Sequence, residues 1–321
     1  MYLAAFRDYH TLSKAYGIVA GFVFLHPNGR LGNQLIELLG ARSTFPGKNI
    51  IAINFTEARS FLQSTAIHYW IGSDDSYGLL SRISAKLLWL IGKLPKSALN
   101  ILFSVAIEDR SNNINIHPPL IRLIDLIWVD GPFFQNFDCL DTALMSRFKS
   151  RDHYPRLAIQ YLNSFIHPAN SKPVYNIFLH VRLGDYLRHD RNRVDTNRYV
   201  LPEQYYHYAL TQILSRSLPP FHIFVASDEI DVARNLFSNL ENSTFVNESS
   251  ELTLSILSSC DAGILSASSF SWWAAHVALL INNSSGPFIA PKYWLGFSSG
   301  LWRPLGFEST FLTYIDIDDF I

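Results

Sequence analysis

Short apolar runs of strand length alternate with stretches of helical period along this chain, and beyond residue 175 three strand–turn–helix units follow in quick succession. A strand followed by a helix must cross over the sheet before the chain pairs again, so the pattern requires mostly parallel sheets with helices on their faces. The first unit is a strand from Ile18 to Leu25, a glycine-bearing turn and a helix over about Leu31 to Ala41. A strand over Asn49 to Asn54 leads to a helix starting near Glu57. The stretch from Gly72 to Asn115 is less regular, with helical periods around Leu87 and Leu99. Strand character returns at Leu126 to Val129, and helical patterns follow near Leu140 and Leu157.

Between Ile166 and Tyr175 the chain turns polar, with Pro168 and Pro173, which places a domain boundary there. We therefore expect an N-terminal α/β domain over 1–168 and a C-terminal Rossmann-like domain over 169–321. In the latter, strands are predicted at Asn176–Arg182, Phe221–Ala226 and Ala262–Leu265, helices at Pro202–Leu214, Glu229–Phe237 and about Phe270–Leu280, and a last strand at Pro287–Ala290.

Composition bounds the function classes. The chain has 321 residues, 48% of them apolar, 17% charged, and a net charge of -1, which excludes a broad basic surface of the kind that holds nucleic acid or anionic lipid. Cys139 and Cys260 make neither a disulfide framework nor a metal cluster; they are read as buried thiols, with a pairing across the fold as the alternative. No segment approaches the ~20 apolar residues that span a bilayer, and no basic start with an apolar centre marks a leader at Met1. Asn-x-Ser/Thr sequons at Asn54, Asn242, Asn247, Asn282 and Asn283 are compatible with a secretory compartment, and equally with chance in an Asn- and Ser-rich chain. On the secretory reading, a leader or anchor would lie outside this chain.

The polar residues that matter fall at the carboxyl ends of the C-terminal strands, where an open parallel sheet binds its ligands. His180 and Arg182 alternate onto one face of the first strand, next to Gly184 and Asp185. Arginine is a permanent planar cation suited to phosphate oxygens; the plainer reading is an Arg182–Asp185 pair closing a strand end. Asp228 follows the second strand and is read as an acceptor for a ribose or base, as the N-cap of the next helix, or as both. After the third strand, Ser266, Ser268, Ser269 and Ser271 cluster where a helix begins, and unpaired N–H groups with partial positive charge favour phosphate there. An ordinary serine cap is the alternative. Trp272 and Trp273 point to different helix faces, so one is assigned to the core, and a sugar-stacking platform is the alternative for either. In the N-terminal half, Gly32, Asn33 and Gln34 open a helix that could face the same cleft, although Asn28-Gly-Arg-Leu-Gly-Asn-Gln34 is neither a P-loop nor G-x-G-x-x-G. Asp316-Ile-Asp318 is read as a solvated acidic tail.

These segments together resemble glycosyltransferase family 11, the α-1,2-fucosyltransferases. Gly29-Arg-Leu-Gly-Asn-Gln34 is similar to its N-terminal loop, and His180-Val-Arg-Leu-Gly-Asp-Tyr186 to its His-x-Arg-Arg-x-Asp motif, which contacts the donor nucleotide in the wider group. Val225-Ala-Ser-Asp228 resembles a second motif, and Leu252 to Trp273, with Ser268-Ser-Phe-Ser-Trp-Trp273, a third. The chain departs where the family's second arginine is replaced by Leu183. The resemblance implies a GT-B-like fold with the nucleotide site in the C-terminal domain facing the interdomain cleft. It also implies GDP-β-L-fucose as co-substrate, a galactose-terminated glycan as acceptor, inversion at the anomeric carbon, no metal and no nucleic-acid partner. Substrate contacts are implied at His180, Arg182, Asp228, Ser268, Ser269, Phe270, Ser271, Gly32, Asn33 and Gln34, catalysis at Arg182 with Asp185, and a Golgi lumen or membrane location. Leu183 motivates a second reading, a catalytically impaired GDP-sugar- or glycan-binding relative. A third, an esterase pairing a clustered serine with His180 or His276, lacks the G-x-S-x-G elbow.

Overall fold

The computed structural model describes residues 21–63, 67, 69–74, 77–108, 114–120, 125–130, 134, 142–165, 174–192, 199–216, 220–294 and 308–317. Two six-stranded sheets organise them. The first holds β1 (Phe22–Leu25), β2 (Asn49–Ile53), β3 (Tyr69–Ile71), β4 (Ser104–Glu108), β5 (Ile114–His117) and β6 (Leu126–Asp130) in the order β3-β2-β1-β6-β4-β5. Its pairs are parallel except β4 with β5. The second holds β7 (Tyr175–Val181), β8 (Phe221–Ser227), β9 (Ser243–Phe245), β10 (Ala262–Ile264), β11 (Phe288–Pro291) and β12 (Thr313–Ile315) in the order β12-β11-β10-β7-β8-β9, parallel throughout. Counted within its own lobe and from the other edge, that is the 3-2-1-4-5-6 order of a dinucleotide-binding sheet, and the order reverses between β7 and β10. The expected architecture, two mostly parallel α/β lobes, is the one present.

The first lobe carries α1 (Leu31–Thr44), α2 (Thr56–Phe61), α3 (Leu79–Gly92) and the single turn α4 (Lys96–Leu99). A 3-10 segment at Thr142–Arg147 and α5 (His153–Asn163) follow. The second lobe carries α6 (Gly184–Asn192), α7 (Glu203–Leu214), α8 (Ile230–Leu236), α9 (Ser250–Ser258) and α10 (Ser269–Leu280). The expected domain boundary at 168/169, the strand residues before 21, Cys139 and Asp318 lie outside the described residues.

Helix α1 is buried almost all round, as its run of Leu, Ile and Ala requires. One face lies on the first sheet and the other meets α10, while α5 packs on α9. A single apolar cluster therefore runs through both lobes, joining Val23 and Leu35 to Phe178, Phe224 and Trp272. The far side of the second sheet has its own core around Leu179, Val181, Tyr205 and Ile223.

Two expectations need correction. Both Trp272 and Trp273 are fully buried: Trp272 stacks on His276 with centroids 3.7 Å apart, and Trp273 meets Phe148 edge-on. Neither is placed to stack on a sugar. Asp316 is not simply solvated, since Lys292 Nζ lies 3.2 Å from its carboxylate. Cys260 is buried, its thiol donating to Ile256 O at 3.4 Å, and burial pushes its pKa up.

Candidate functional site

The cleft opens where the strand order reverses. Along β7, Leu179, Val181 and then Leu183 turn into the far core, so His180 and Arg182 must turn the other way, toward the lobe interface. Leu183 is 2% exposed among these apolar neighbours. It leaves no gap in the cleft.

Arg182 stands between two carboxylates, with Nη2 2.7 Å from Asp185 Oδ1 and Nη1 3.0 Å from Asp228 Oδ2. Asp228 also accepts from Leu183 N at 2.9 Å. A Cβ at residue 184 would stand 2.3 Å from Asp228 Oδ2, so glycine there is what admits the carboxylate. Asp228 does not cap the next helix: the Glu229 N–H turns to Ser227 Oγ at 3.1 Å instead. The guanidinium carries five N–H donors, and the two contacts draw on one from each terminal nitrogen, leaving three for a ligand. Tyr186 lies beneath it, the ring centroid 5.7 Å from Cζ, and its hydroxyl donates to Ala267 O at 2.9 Å.

His180 Nδ1 meets Ser266 Oγ at 2.7 Å, and its ring stacks on Phe270 with centroids 5.4 Å apart. Burial first, and the Arg182 charge second, lower its pKa to about 3, so it is a neutral imidazole at physiological pH. This pair tethers β7 to the turn after β10. In that turn Ser268 caps α10, its Oγ accepting from Phe270 N at 3.3 Å. Ser269 donates its hydroxyl to Asn33 Oδ1 across the lobe interface. Ser271 is fully buried and bonds the carbonyls of Ser266 and Ser268 at 3.2 Å, so it braces the turn and does not reach the cleft.

On the other lobe, a Cβ at Gly32 would lie 2.5 Å from Phe270 N and 2.7 Å from Ser269 C. The N-termini of α1 and α10 abut there, backbone to backbone. Asn33 also donates to Asn28 O at 3.1 Å. Gln34 is buried, donating to Gly29 O and accepting from Ala58 N, and so shapes the loop rather than lining the cleft.

His180, Arg182, Asp185, Asp228, Ser268, Ser269, Phe270, Gly32 and Asn33 all face one cavity of about 830 Å³ between the lobes. Sequence reading missed Glu57 and Glu248, which line it too. Glu57 accepts from Leu31 N at 2.9 Å, seated at the α1 N-terminus. Asn247 to Thr253 brings the N-terminus of α9 to the cavity, capped by Ser249, which accepts from Leu252 N at 3.3 Å. The signal was present, since Ser249-Ser-Glu251 precedes an apolar run at Leu252. Among the described residues no cluster of three His, Cys, Asp or Glu side chains could hold a metal ion.

Two Rossmann-like lobes with a polar, cation-bearing cleft at the switch point define an α/β protein of the GT-B-like kind. Residues 133–292 match the model of glycosyl transferase family 11, which shows the family likeness over the segment carrying β7, β8, β10 and their loops. O-antigen biosynthesis glycosyltransferase WbnK of Escherichia coli is 34% identical over 101 residues, 30% of this chain. The match spans 32% of that relative's length. Among solved structures, the chain is similar to the fucosyltransferase NodZ from Bradyrhizobium, at 13% identity over 80% of this chain and 92% of that one, with TM-score 0.48. It is also similar to a family 9 glycosyl transferase from Veillonella parvula, at 10% identity over 94% and 87%, with TM-score 0.49.

Proposed function

We propose that the protein is an inverting galactoside 2-α-L-fucosyltransferase, moving L-fucose from GDP-β-L-fucose to the 2-hydroxyl of a terminal galactose. The carrying observation is that the Arg182 guanidinium and the serine-capped N-terminus of α10 front one cavity at the switch point of a Rossmann sheet. The family match over residues 133–292 supports glycosyl transfer.

As the bond from the fucosyl anomeric carbon to the β-phosphate oxygen breaks, its electrons go to the diphosphate and positive charge builds on the sugar ring. Arg182 and the partial positive charge at the N-terminus of α10 meet that growing negative charge already in place, so little reorganisation is needed. Asp185 and Asp228 are positioning residues that hold the guanidinium flat toward the leaving group. The acceptor oxygen attacks from the opposite face, which inverts the centre, and its proton passes to water in the open cleft. A fixed arginine and a helix N-terminus take the place a divalent ion holds in metal-dependent transferases.

The test is transfer of radiolabelled fucose from GDP-fucose to a panel of galactosides, with linkage analysis of the product. We expect α-1,2-linked fucose on terminal galactose and unchanged rates in EDTA. Absence of transfer to every galactoside overturns the assignment. Binding of GDP-fucose without transfer or hydrolysis would identify a catalytically impaired relative instead.

A further inference from the structure

Helix α3 is apolar on two opposite faces, and the fold uses one of them. Placing its residues at 100° intervals sets Ala85, Leu88 and Ile91 on the inner side. There they pack against Ile51, Ile53, Phe24 and Trp128 on the face of the first sheet turned away from α1. The outer side gathers Leu79, Leu80, Ile83, Leu87 and Leu90 into an arc roughly 100° wide, and these side chains are 65%, 80%, 47%, 57% and 56% exposed. Leu94, Ile101 and Leu102 continue the exposed apolar surface beyond the helix. Soluble monomers seldom leave a patch of this kind uncovered.

The charges beside the arc indicate what covers it. Residues 77–107 contain Arg82, Lys86, Lys93 and Lys96 and no acidic residue, and with Lys96 paired to Asp130 at 2.8 Å the lysines that border the arc are Lys86 and Lys93. Lys86 and Lys93 fall on one flank of the arc together with Trp89, whose ring centroid lies 5.2 Å from Lys93 Nζ. A net charge of -1 for the whole chain conceals this local excess. An apolar stripe bordered by lysines and a tryptophan suits a boundary that is apolar below and anionic above. A second copy of the chain suits it less, because an isologous pairing would set the lysines of one helix against those of the other. No helix among the described residues is long and apolar enough to cross a membrane, so the contact would be a lateral one.

We propose that the outer face of α3 docks the protein on the surface of an anionic lipid bilayer. The helix lies in the interface with its leucines ~5–10 Å into the headgroup–acyl boundary. The inner face of α3 belongs to a core separate from the cluster joining the two lobes, so docking leaves the cleft open.

Co-sedimentation of the full chain with vesicles tests this, comparing phosphatidylcholine alone with a mixture containing about one third phosphatidylglycerol. We expect recruitment to the mixed vesicles that weakens with salt, and little to the neutral ones. At about fivefold per basic residue, Lys86→Gln with Lys93→Gln should weaken partitioning about 30-fold. Leu80→Glu with Leu87→Glu should reduce it to background. Quenching of tryptophan emission by brominated lipid, abolished by Trp89→Phe, reports the same contact should the glutamate variant fail to fold. A chain that stays in the supernatant with both vesicles, or sediments equally after the leucine substitutions, overturns the proposal. So does a dimer that Leu80→Glu and Leu87→Glu dissolve while vesicles recruit nothing.

Discussion

Arg182 is held on both sides by carboxylates at 2.7 and 3.0 Å. Such bracketing fixes the plane of the fork, which matters more to a diphosphate than charge alone. Arg182→Ala would therefore remove the leaving-group donor and leave Asp185 and Asp228 facing the cleft without their cation. We expect turnover to fall ~10²–10³-fold, about 2.7–4 kcal/mol of transition-state stabilisation. Arg182→Lys, with one compact charge and no fork, should fall between. Steady-state transfer rates decide it, and near-normal turnover of the alanine variant would remove Arg182 from the mechanism. Leu183, where the family's second arginine is replaced, needs no compensation in the cleft: it is an ordinary core residue packed near Tyr205 and Val181.

At the scale of elements, the site depends on two helix N-termini meeting across the lobe interface. Gly32 permits that approach, because a Cβ would lie 2.5 Å from backbone of the facing turn, and backbone cannot swing aside as a side-chain tip can. Gly32→Ala should push α1 and α10 apart. Overpacking of this kind costs about 1–3 kcal/mol, and the Ser269–Asn33 hydrogen bond would stretch with it. Urea denaturation should show the lost stability and calorimetric titration with GDP a weaker affinity. If both match the parent protein, the close approach has no consequence. Sequence pattern reached the central elements because β7, β8 and β10 are largely buried and read as mostly apolar runs, broken only by polar residues such as Asn176, His180 and His222. It missed β3, β9 and β12, three residues each, and also the longer β4 and β5, which lie in the irregular stretch after Gly72. It also missed α6, a largely polar helix that follows Gly184 and reads as a turn. Strand alternation correctly put His180 and Arg182 on the cleft side. Helical rotation was harder to foresee: Ser268 and Ser269 face the cavity, while Ser271 and Gln34 have turned inward.

For the whole molecule, the cluster running from Val23 through Leu35 to Trp272 makes the two lobes one packing unit, so both should respond together to anything that destabilises either. Acid is such an agent. His26 and His276 have pKa values lowered to about 4 and His180 to about 3, burial being the largest cause in each case. His276 is held neutral in the core, with Nδ1 at 2.8 Å from Trp272 O and Nε2 at 2.7 Å from Ser309 Oγ. Unfolded, each histidine takes a proton near its ordinary value of about 6.5; folded, it does not until far lower pH. The stability these groups contribute is therefore complete above pH 6.5 and drains away as pH falls toward about 4. Asp261 opposes the trend, since burial raises its pKa, and Glu251 adds to it: burial acts to raise its pKa, but hydrogen bonds led by Ser60 prevail and lower it. Each histidine withdraws on the order of 2 kcal/mol by pH 5, which is a large share of a typical domain's margin. Urea midpoints at pH 7 and pH 5 should differ accordingly, with fluorescence and circular dichroism tracing one common transition. His276→Gln, which can still donate one hydrogen bond and accept another but cannot take up a proton, should flatten the pH dependence while lowering stability at pH 7. Midpoints that do not move between the two pH values would mean that the buried imidazoles gain protons without unfolding, and that the core around Trp272 admits charge that its packing should exclude.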